Sequence, residues 1–141
     1  MMNLTIEIEK QIRQQGEKIY PSECCGIIFG SINRQESKTV SAIEPIRNSK
    51  EESEQYHRFL ITADEMLLAE QKARKLKVEI LGFYHSHPDC EAVPSEYDKN
   101  YALPFYSYII LSVQEGIAKE LNSWELAIDR SQFNAEIINI I

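Results

Sequence analysis

Apolar residues recur along this chain with two different periods. Leu4, Ile8, Ile12, Gln15 and Ile19 mark one face at helical spacing, so residues 4–19 read as an amphipathic helix that Pro21 stops. Cys24-Cys25-Gly26-Ile27-Ile28-Phe29-Gly30 is a small-then-apolar run bounded by glycine, which predicts a buried strand, and Val40 to Ile46 predicts a second. Asn48 to His57 is charged and aperiodic; it reads as an exposed loop with His57 at the surface. Thr62-Ala63-Asp64-Glu65 fits a capping box, and Met66, Ala69, Ala73 and Leu76 give the helix behind it a packed face to residue 76. Val78 to Tyr84 is an apolar strand, Pro94 to Asp98 opens a short third helix, and Tyr106 to Val113 and Ser123 to Ile128 are further strands. The tail from Glu136 to Ile141 fits a strand or a helix, and its Ile137, Ile138, Ile140 and Ile141 would seal either a core or a homodimer. Strict βαβ alternation is absent, so the expected class is α/β: a mixed, mostly antiparallel sheet flanked by helices, one domain over residues 1–141.

Composition narrows the function more than the fold. A length of 141 residues suits a single core that needs no disulfide or metal staple. The net charge of −7 argues against a nucleic-acid partner, since phosphate binding needs a basic face. Lys10, Arg13, Lys18, Lys72, Arg74, Lys75 and Lys77 fall on helical patterns and read as solvated faces. The first residues lack both a basic n-region and a continuous apolar stretch, and no run approaches the ~20 apolar residues of a membrane span. The three cysteines suggest no disulfide framework and contain no CxxC pair; Cys24 and Cys25 read as small strand residues and Cys90 as a loop residue. The expected location is cytoplasmic.

The candidate chemistry follows the strand at Val78. Alternate residues of a strand point to one face, so His85 and His87 project side by side, and Pro88, lacking an N–H, ends the strand. Asp98 can add an oxygen ligand from the next element. Two imidazoles and a carboxylate with one open position make the usual composition of a hydrolytic zinc site. Hydrolysis also needs a base for the attacking water and a donor for the developing oxyanion. Glu23, at the mouth of the first predicted strand, is the candidate base. Ser95 lies three residues before Asp98, so on one helical turn both face the same way, although Ser-x-x-Asp is equally a capping box.

Glu23, then His85-Ser86-His87-Pro88, six residues, Ser95, two residues and Asp98 resemble the signature of the JAMM (MPN-plus) zinc metalloprotease family. The flanking Pro21-to-Gly26 turn and Gly82-Phe83-Tyr84 match as well, and the resemblance runs from about residue 4 to residue 128. It implies an MPN-like, cytidine-deaminase-like domain. It implies one zinc ion per chain on His85, His87 and Asp98, with Glu23 as catalytic acid/base and Ser95 as catalytic oxyanion donor. The implied reaction is cleavage of an amide or isopeptide bond after the C-terminal glycine of a ubiquitin-like protein. The short stand-alone form is similar to prokaryotic members that include hydrolases releasing cysteine from a small sulfur-carrier protein. The expected partner is therefore a β-grasp carrier with a Gly-Gly tail, the leaving group cysteine or a short peptide. Two other classes compete. A zinc deaminase needs His-x-Glu and Pro-Cys-x-x-Cys, whereas here His87 follows His85 and Val93 stands three residues after Cys90. A non-catalytic MPN scaffold typically lacks the ligands, and all of them are present.

Overall fold

The computed structural model describes residues 1–47 and 61–141. The predicted loop at Asn48 to His57, with His57 itself, lies outside the described residues. Along the chain run β1 (Met2–Leu4), α1 (Ile6–Ile19), β2 (Cys25–Ile32), β3 (Lys38–Ile46), α2 (Ala63–Leu76), β4 (Glu79–Pro88), α3 (Glu96–Tyr101), β5 (Ser107–Gln114), β6 (Ile117–Leu126), β7 (Phe133–Glu136) and β8 (Ile138–Ile140). The strands form an 8-stranded sheet in the order β7-β6-β5-β4-β2-β3-β1-β8. β2 pairs antiparallel with β3 and β4, and β6 with β5 and β7; β4–β5, β1–β3 and β1–β8 are parallel. The mixed, mostly antiparallel sheet expected from the pattern is therefore present. Among the described residues no helix is long and apolar enough to cross a membrane.

The first helix begins two residues later than its periodicity suggests. Thr5 is its N-cap, its Oγ1 accepting from the Ile8 N–H at 3.1 Å, and Leu4 belongs instead to β1, where it is fully buried. An apolar residue just outside a cap fits the helical stripe by accident of spacing. The second helix keeps its predicted capping box: Thr62 Oγ1 accepts from Glu65 N–H at 3.2 Å and Glu65 Oε1 from Thr62 N–H at 2.9 Å. The predicted strand at Ser123 starts at Ile117, and the ambiguous tail resolves into β7 and β8.

The helices cover opposite faces. Ile8 and Ile12 of α1 pack with Met2, Leu4, Ile28, Tyr84, Ile109 and Leu111 on one side. Ala69 and Ala73 of α2 pack with Ile27, Phe29, Phe83, Tyr108 and Leu126 on the other. β4 is thus buried on both sides. The sheet also curls on itself, because β7 and β8 end its two edges yet only Ile137 separates them in the chain. Where the edges approach, Lys38 of β3 donates Nζ–H to Glu136 Oε2 of β7 at 3.2 Å, to Glu125 Oε2 at 3.0 Å and to Ser107 Oγ. Ser107 and Ser123 donate to Glu136 Oε1 at 2.7 and 2.8 Å, so both charges in this buried pair have further partners. Removing one member of such a buried pair generally costs ~3–5 kcal/mol, because the other charge is stranded.

Glycine decides how closely β2 and β4 can be dressed. A Cβ on Gly26 would lie 2.3 Å from ring atoms of Tyr84, which is fully buried with its hydroxyl donating to Gln15 Oε1. A Cβ on Gly82 would lie 1.9 Å from the Ser107 carbonyl oxygen of β5. With Tyr84 unable to withdraw, Gly26→Ala should lower stability by ~1–3 kcal/mol through overpacking. Urea unfolding followed by circular dichroism reads this as a lower midpoint, and an unchanged midpoint would mean that the ring is free to move.

Candidate metal centre

Period-2 geometry carries the site. On β4, Tyr84 packs on the α1 face while Phe83 packs on the α2 face, and His85 and His87 continue the Phe83 row. Pro88 is the last residue of the strand, as its missing N–H predicts. Both imidazoles are buried. Asp98 comes from the first turn of α3 on the opposite bank. The three ligand atoms converge: His85 Nε2 is 3.1 Å from His87 Nε2, and Asp98 Oδ2 is 3.3 Å from the former and 3.1 Å from the latter. Among the described residues, these three are the group that could hold a metal ion.

The donor set fits a zinc ion on geometric grounds. Zinc–nitrogen and zinc–oxygen bonds of about 2.0–2.2 Å set the edge of their coordination tetrahedron at roughly 3.3–3.6 Å. The observed separations of 3.1–3.3 Å fall at or just under that edge. Proton accounting agrees. His87 Nδ1 lies 2.9 Å from the Glu91 carbonyl oxygen, which can only accept, so Nδ1 carries a proton and Nε2 is the ring nitrogen left to face a metal. Burial pushes the His85 pKa below its ordinary value, against the pull of Asp98. Burial opposes ionisation of Asp98, yet its contacts with the His85 and His87 rings and the hydrogen bond from the Ser95 amide hold its carboxyl well below the usual range. With both Nε2 atoms unprotonated, as metal binding requires, two imidazoles and a carboxylate form an all-acceptor cluster that suits a cation.

Ser95 is not on the helix, as one-turn geometry suggests, but is its N-cap, with extended backbone. Its Oγ accepts from Asp98 N–H at 3.1 Å while Asp98 Oδ2 accepts from Ser95 N–H at 2.9 Å. The three-residue spacing therefore makes a reciprocal capping box, and that box aims the carboxylate at the histidines. Glu23 is buried in the turn before β2 and lines one cleft with His87, Cys90, Glu91 and Ser95. A second, apolar cleft lies on the other flank, where Ile61, Met66, Phe83, Tyr97, Tyr101 and Tyr108 surround His85 and Asp98. The predicted residues thus come together around one centre.

Sequence reasoning assigned no role to Ser86, although it stands inside the motif. It points to the α1 face, where its Oγ accepts from the buried Cys24 N–H at 2.8 Å, and its own N–H donates to Cys24 O at 3.1 Å. These bonds fix the residue next to Glu23 against the histidine strand. Alternation supplies the missing signal: between two residues facing the ligand side, a small hydroxyl must face the other way.

A mixed sheet between two helical layers, with a His-x-His strand end facing an aspartate on a capped helix, defines a JAMM-type (JAB/MPN) domain. The family of prokaryotic homologues of the JAB domain matches residues 5–127, and the chain belongs to it. A desampylase of Haloferax volcanii is 31% identical over 93 residues, covering 65% of this chain and 63% of that protein. A desampylase of Pyrococcus furiosus is 34% identical over 76 residues, covering 54% and 49%. The matches thus span from about half to just under two thirds of those curated relatives. A protein of Desulfitobacterium hafniense, solved in solution, superposes with a TM-score of 0.86 at 26% identity over 100% of this chain and 93% of its own. A JAB1/MPN domain protein from Archaeoglobus fulgidus shares the fold, with a TM-score of 0.59 at 17% identity over 100% of this chain and 97% of that one.

The cysteines divide by environment. Burial pushes the Cys24 thiol up to about 11, and burial with the neighbouring Cys24 pushes Cys25 higher still, whereas Cys90 is exposed. Because the thiolate is the reactive form, one thiol per native chain should react quickly with Ellman's reagent near pH ~8, and all three after denaturation. Three fast thiols in the native protein would contradict the burial of the pair.

Proposed function

We propose that the chain is a zinc-dependent metallo-isopeptidase, cleaving the amide or isopeptide bond after the C-terminal glycine of a small ubiquitin-like, β-grasp protein. The observation that carries this reading is the convergence of His85 Nε2, His87 Nε2 and Asp98 Oδ2 within 3.1–3.3 Å, beside a cleft that also holds Glu23 and Ser95. In this reading His85, His87 and Asp98 hold one zinc ion, which supplies Lewis acidity that eases deprotonation of water and polarises a carbonyl. Glu23 accepts a proton from the attacking water and returns it to the leaving nitrogen. Ser95 Oγ already accepts from the Asp98 N–H, so its own hydroxyl proton is available to the substrate oxygen as charge builds there. His85 and Asp98 line the aromatic cleft and His87 and Ser95 the one that holds Glu23, so a bond held at the three ligands has one flank in each.

A glycine tail suits such a centre because it brings no Cβ against the buried ligands, and main-chain hydrogen bonds along a strand edge offset the entropy its docking loses. The leaving group favoured by the sequence is cysteine or a short peptide on a sulfur-carrier protein. The desampylase names of two relatives favour a second leaving group, the lysine side chain of a protein carrying a ubiquitin-like modifier. The two are separated by incubating the enzyme with a carrier–cysteine adduct and, in parallel, with a lysine-linked conjugate, and weighing the carrier afterwards. Chelator-sensitive loss of the cysteine mass supports the first; cleavage of the conjugate alone supports the second. Both substrates untouched beside cleavage of unrelated peptides would sink the substrate class.

Site variants test the chemistry separately from the substrate. Elemental analysis should find one zinc per wild-type chain and none with alanine at His85, His87 or Asp98; full occupancy in His87→Ala would overturn the ligand set. Glu23→Gln should keep the metal while turnover falls by roughly 10²–10⁴-fold, and Ser95→Ala should lower kcat by roughly 10²–10³-fold. Wild-type turnover by Glu23→Gln would remove Glu23 from the proton path.

A further inference from the structure

Between β4 and α3 the chain runs through residues 89–95, a strap without helix or strand of its own. Its carbonyls are gripped in succession by side chains of three neighbouring strands. Ser112 of β5 donates Oγ–H to the Cys90 oxygen at 2.6 Å, and His87 of β4 donates Nδ1–H to the Glu91 oxygen at 2.9 Å. Two donors from β6 share the Ala92 oxygen: Trp124 Nε1–H at 3.0 Å and Asn122 Nδ2–H at 3.2 Å. Ala92 is fully buried, so its carbonyl has no ready exchange of these partners for bulk water. The strap's first residue is fixed as well, Asp89 accepting from Tyr20 Oη–H at 2.7 Å and from the Glu115 N–H at 2.8 Å.

This strap determines where Asp98 arrives. His87 and Asp98 are 11 residues apart, and beyond Asp89, whose N–H still bonds to the Val113 carbonyl, the chain has no ladder or helix to hold it until Glu96. A loose strap would lose conformational freedom when Asp98 joined the histidines, at the expense of metal affinity. We propose that Trp124 and Asn122 are positioning residues, which act through the Ala92 carbonyl to preset the strap so that Asp98 meets His85 and His87 without further ordering. The inference rests on the reading of those three residues as zinc ligands. It also makes Trp124, the single tryptophan of the chain, a reporter of the site, because its indole N–H is bonded to the strap.

The test uses the metal alone. Chelated, metal-free protein is titrated with zinc against a chromophoric competitor while tryptophan emission is recorded, and the metal-free melting temperature of each variant is measured beside it. Wild-type emission should stay close to its metal-free value as the site fills, because a preset strap does not rearrange around the indole. A large change in step with occupancy overturns the proposal. Trp124→Phe keeps an aromatic ring but loses the N–H, and Asn122→Ala removes the other donor. Each should weaken zinc binding by ~10-fold, at the low end of the effect of outer partners on metal affinity, and the double variant by more. Asn122→Ala stands alone as the test should Trp124→Phe fail to fold. A lower metal-free melting temperature with zinc affinity within ~2-fold of wild type overturns the proposal, since a merely structural role gives that result. Zinc binding by wild type with no loss in the variants overturns this inference alone; no zinc binding by wild type overturns the ligand reading together with it.

Discussion

Strand β4 is covered on both faces, and that constraint orders the rest of the molecule. A strand buried on one side can trade its polar residues to solvent, but β4 has no such side. Its polar residues must therefore find partners on whichever face alternation assigns them. Ser86 falls on the α1 face and meets the Cys24 amide; His85 and His87 fall on the α2 face and meet Asp98. The parallel neighbour β5 and antiparallel neighbour β2 then fix the register, with His85 opposite Cys25 on one side and Ile110 on the other. A slip of one residue would exchange the faces, placing imidazoles in the aliphatic layer under α1. The approach of Gly82 to the Ser107 backbone and of Gly26 to the Tyr84 ring makes such a slip costly.

Elements whose causes are local were legible in the sequence. The capping box at Thr62 and the one at Ser95 are decided within four residues, and the histidine strand by its apolar run and its terminal proline. What escaped depends on distant partners. Three residues in β1 and three in β8 are too few to show a period; β1 is held between β3 and β8, and β8 by its pairing with β1. Nothing around Lys38 in the sequence marks it for burial, yet it is buried because the sheet curls and brings Glu136 to it from 98 residues away. Ile138 packs against the α1-side core, whereas Ile137, Ile140 and Ile141 are exposed. The donors to the strap were likewise invisible, since Trp124 is 32 residues from Ala92 and nothing in its neighbourhood marks it.

The candidate site illustrates why a bland reading and a functional one need not compete. Ser-x-x-Asp is a capping box here in full geometric detail, with both reciprocal bonds formed. A capping aspartate normally spends both carboxylate oxygens on the helix end and solvent. Asp98 uses Oδ2 for the Ser95 amide and turns the same oxygen to the two imidazoles, at 3.3 and 3.1 Å. The cap thereby restricts the carboxylate before any ligand arrives, lowering the entropy lost on coordination. A stable helix start and a preset ligand are the same structural fact.

The same geometry weighs on the competing classes. A deaminase of related fold needs a glutamate where His87 stands, two residues after the first histidine, and a second cysteine where Val93 stands. Neither position can be exchanged in thought without loss, since His87 Nδ1 also anchors the strap at Glu91. A pure scaffold would have no reason to keep three acceptors crowded in a buried pocket, because uncompensated polar burial is destabilising. It would also have no reason to fasten an irregular strap carbonyl by carbonyl to β4, β5 and β6. Such fastening is costly in specialised donors and yields a benefit only if the residues at the end of the strap must arrive in one place. Asp98 and Ser95 are those residues, which ties the most elaborate piece of irregular backbone among the described residues to the centre where hydrolysis is proposed.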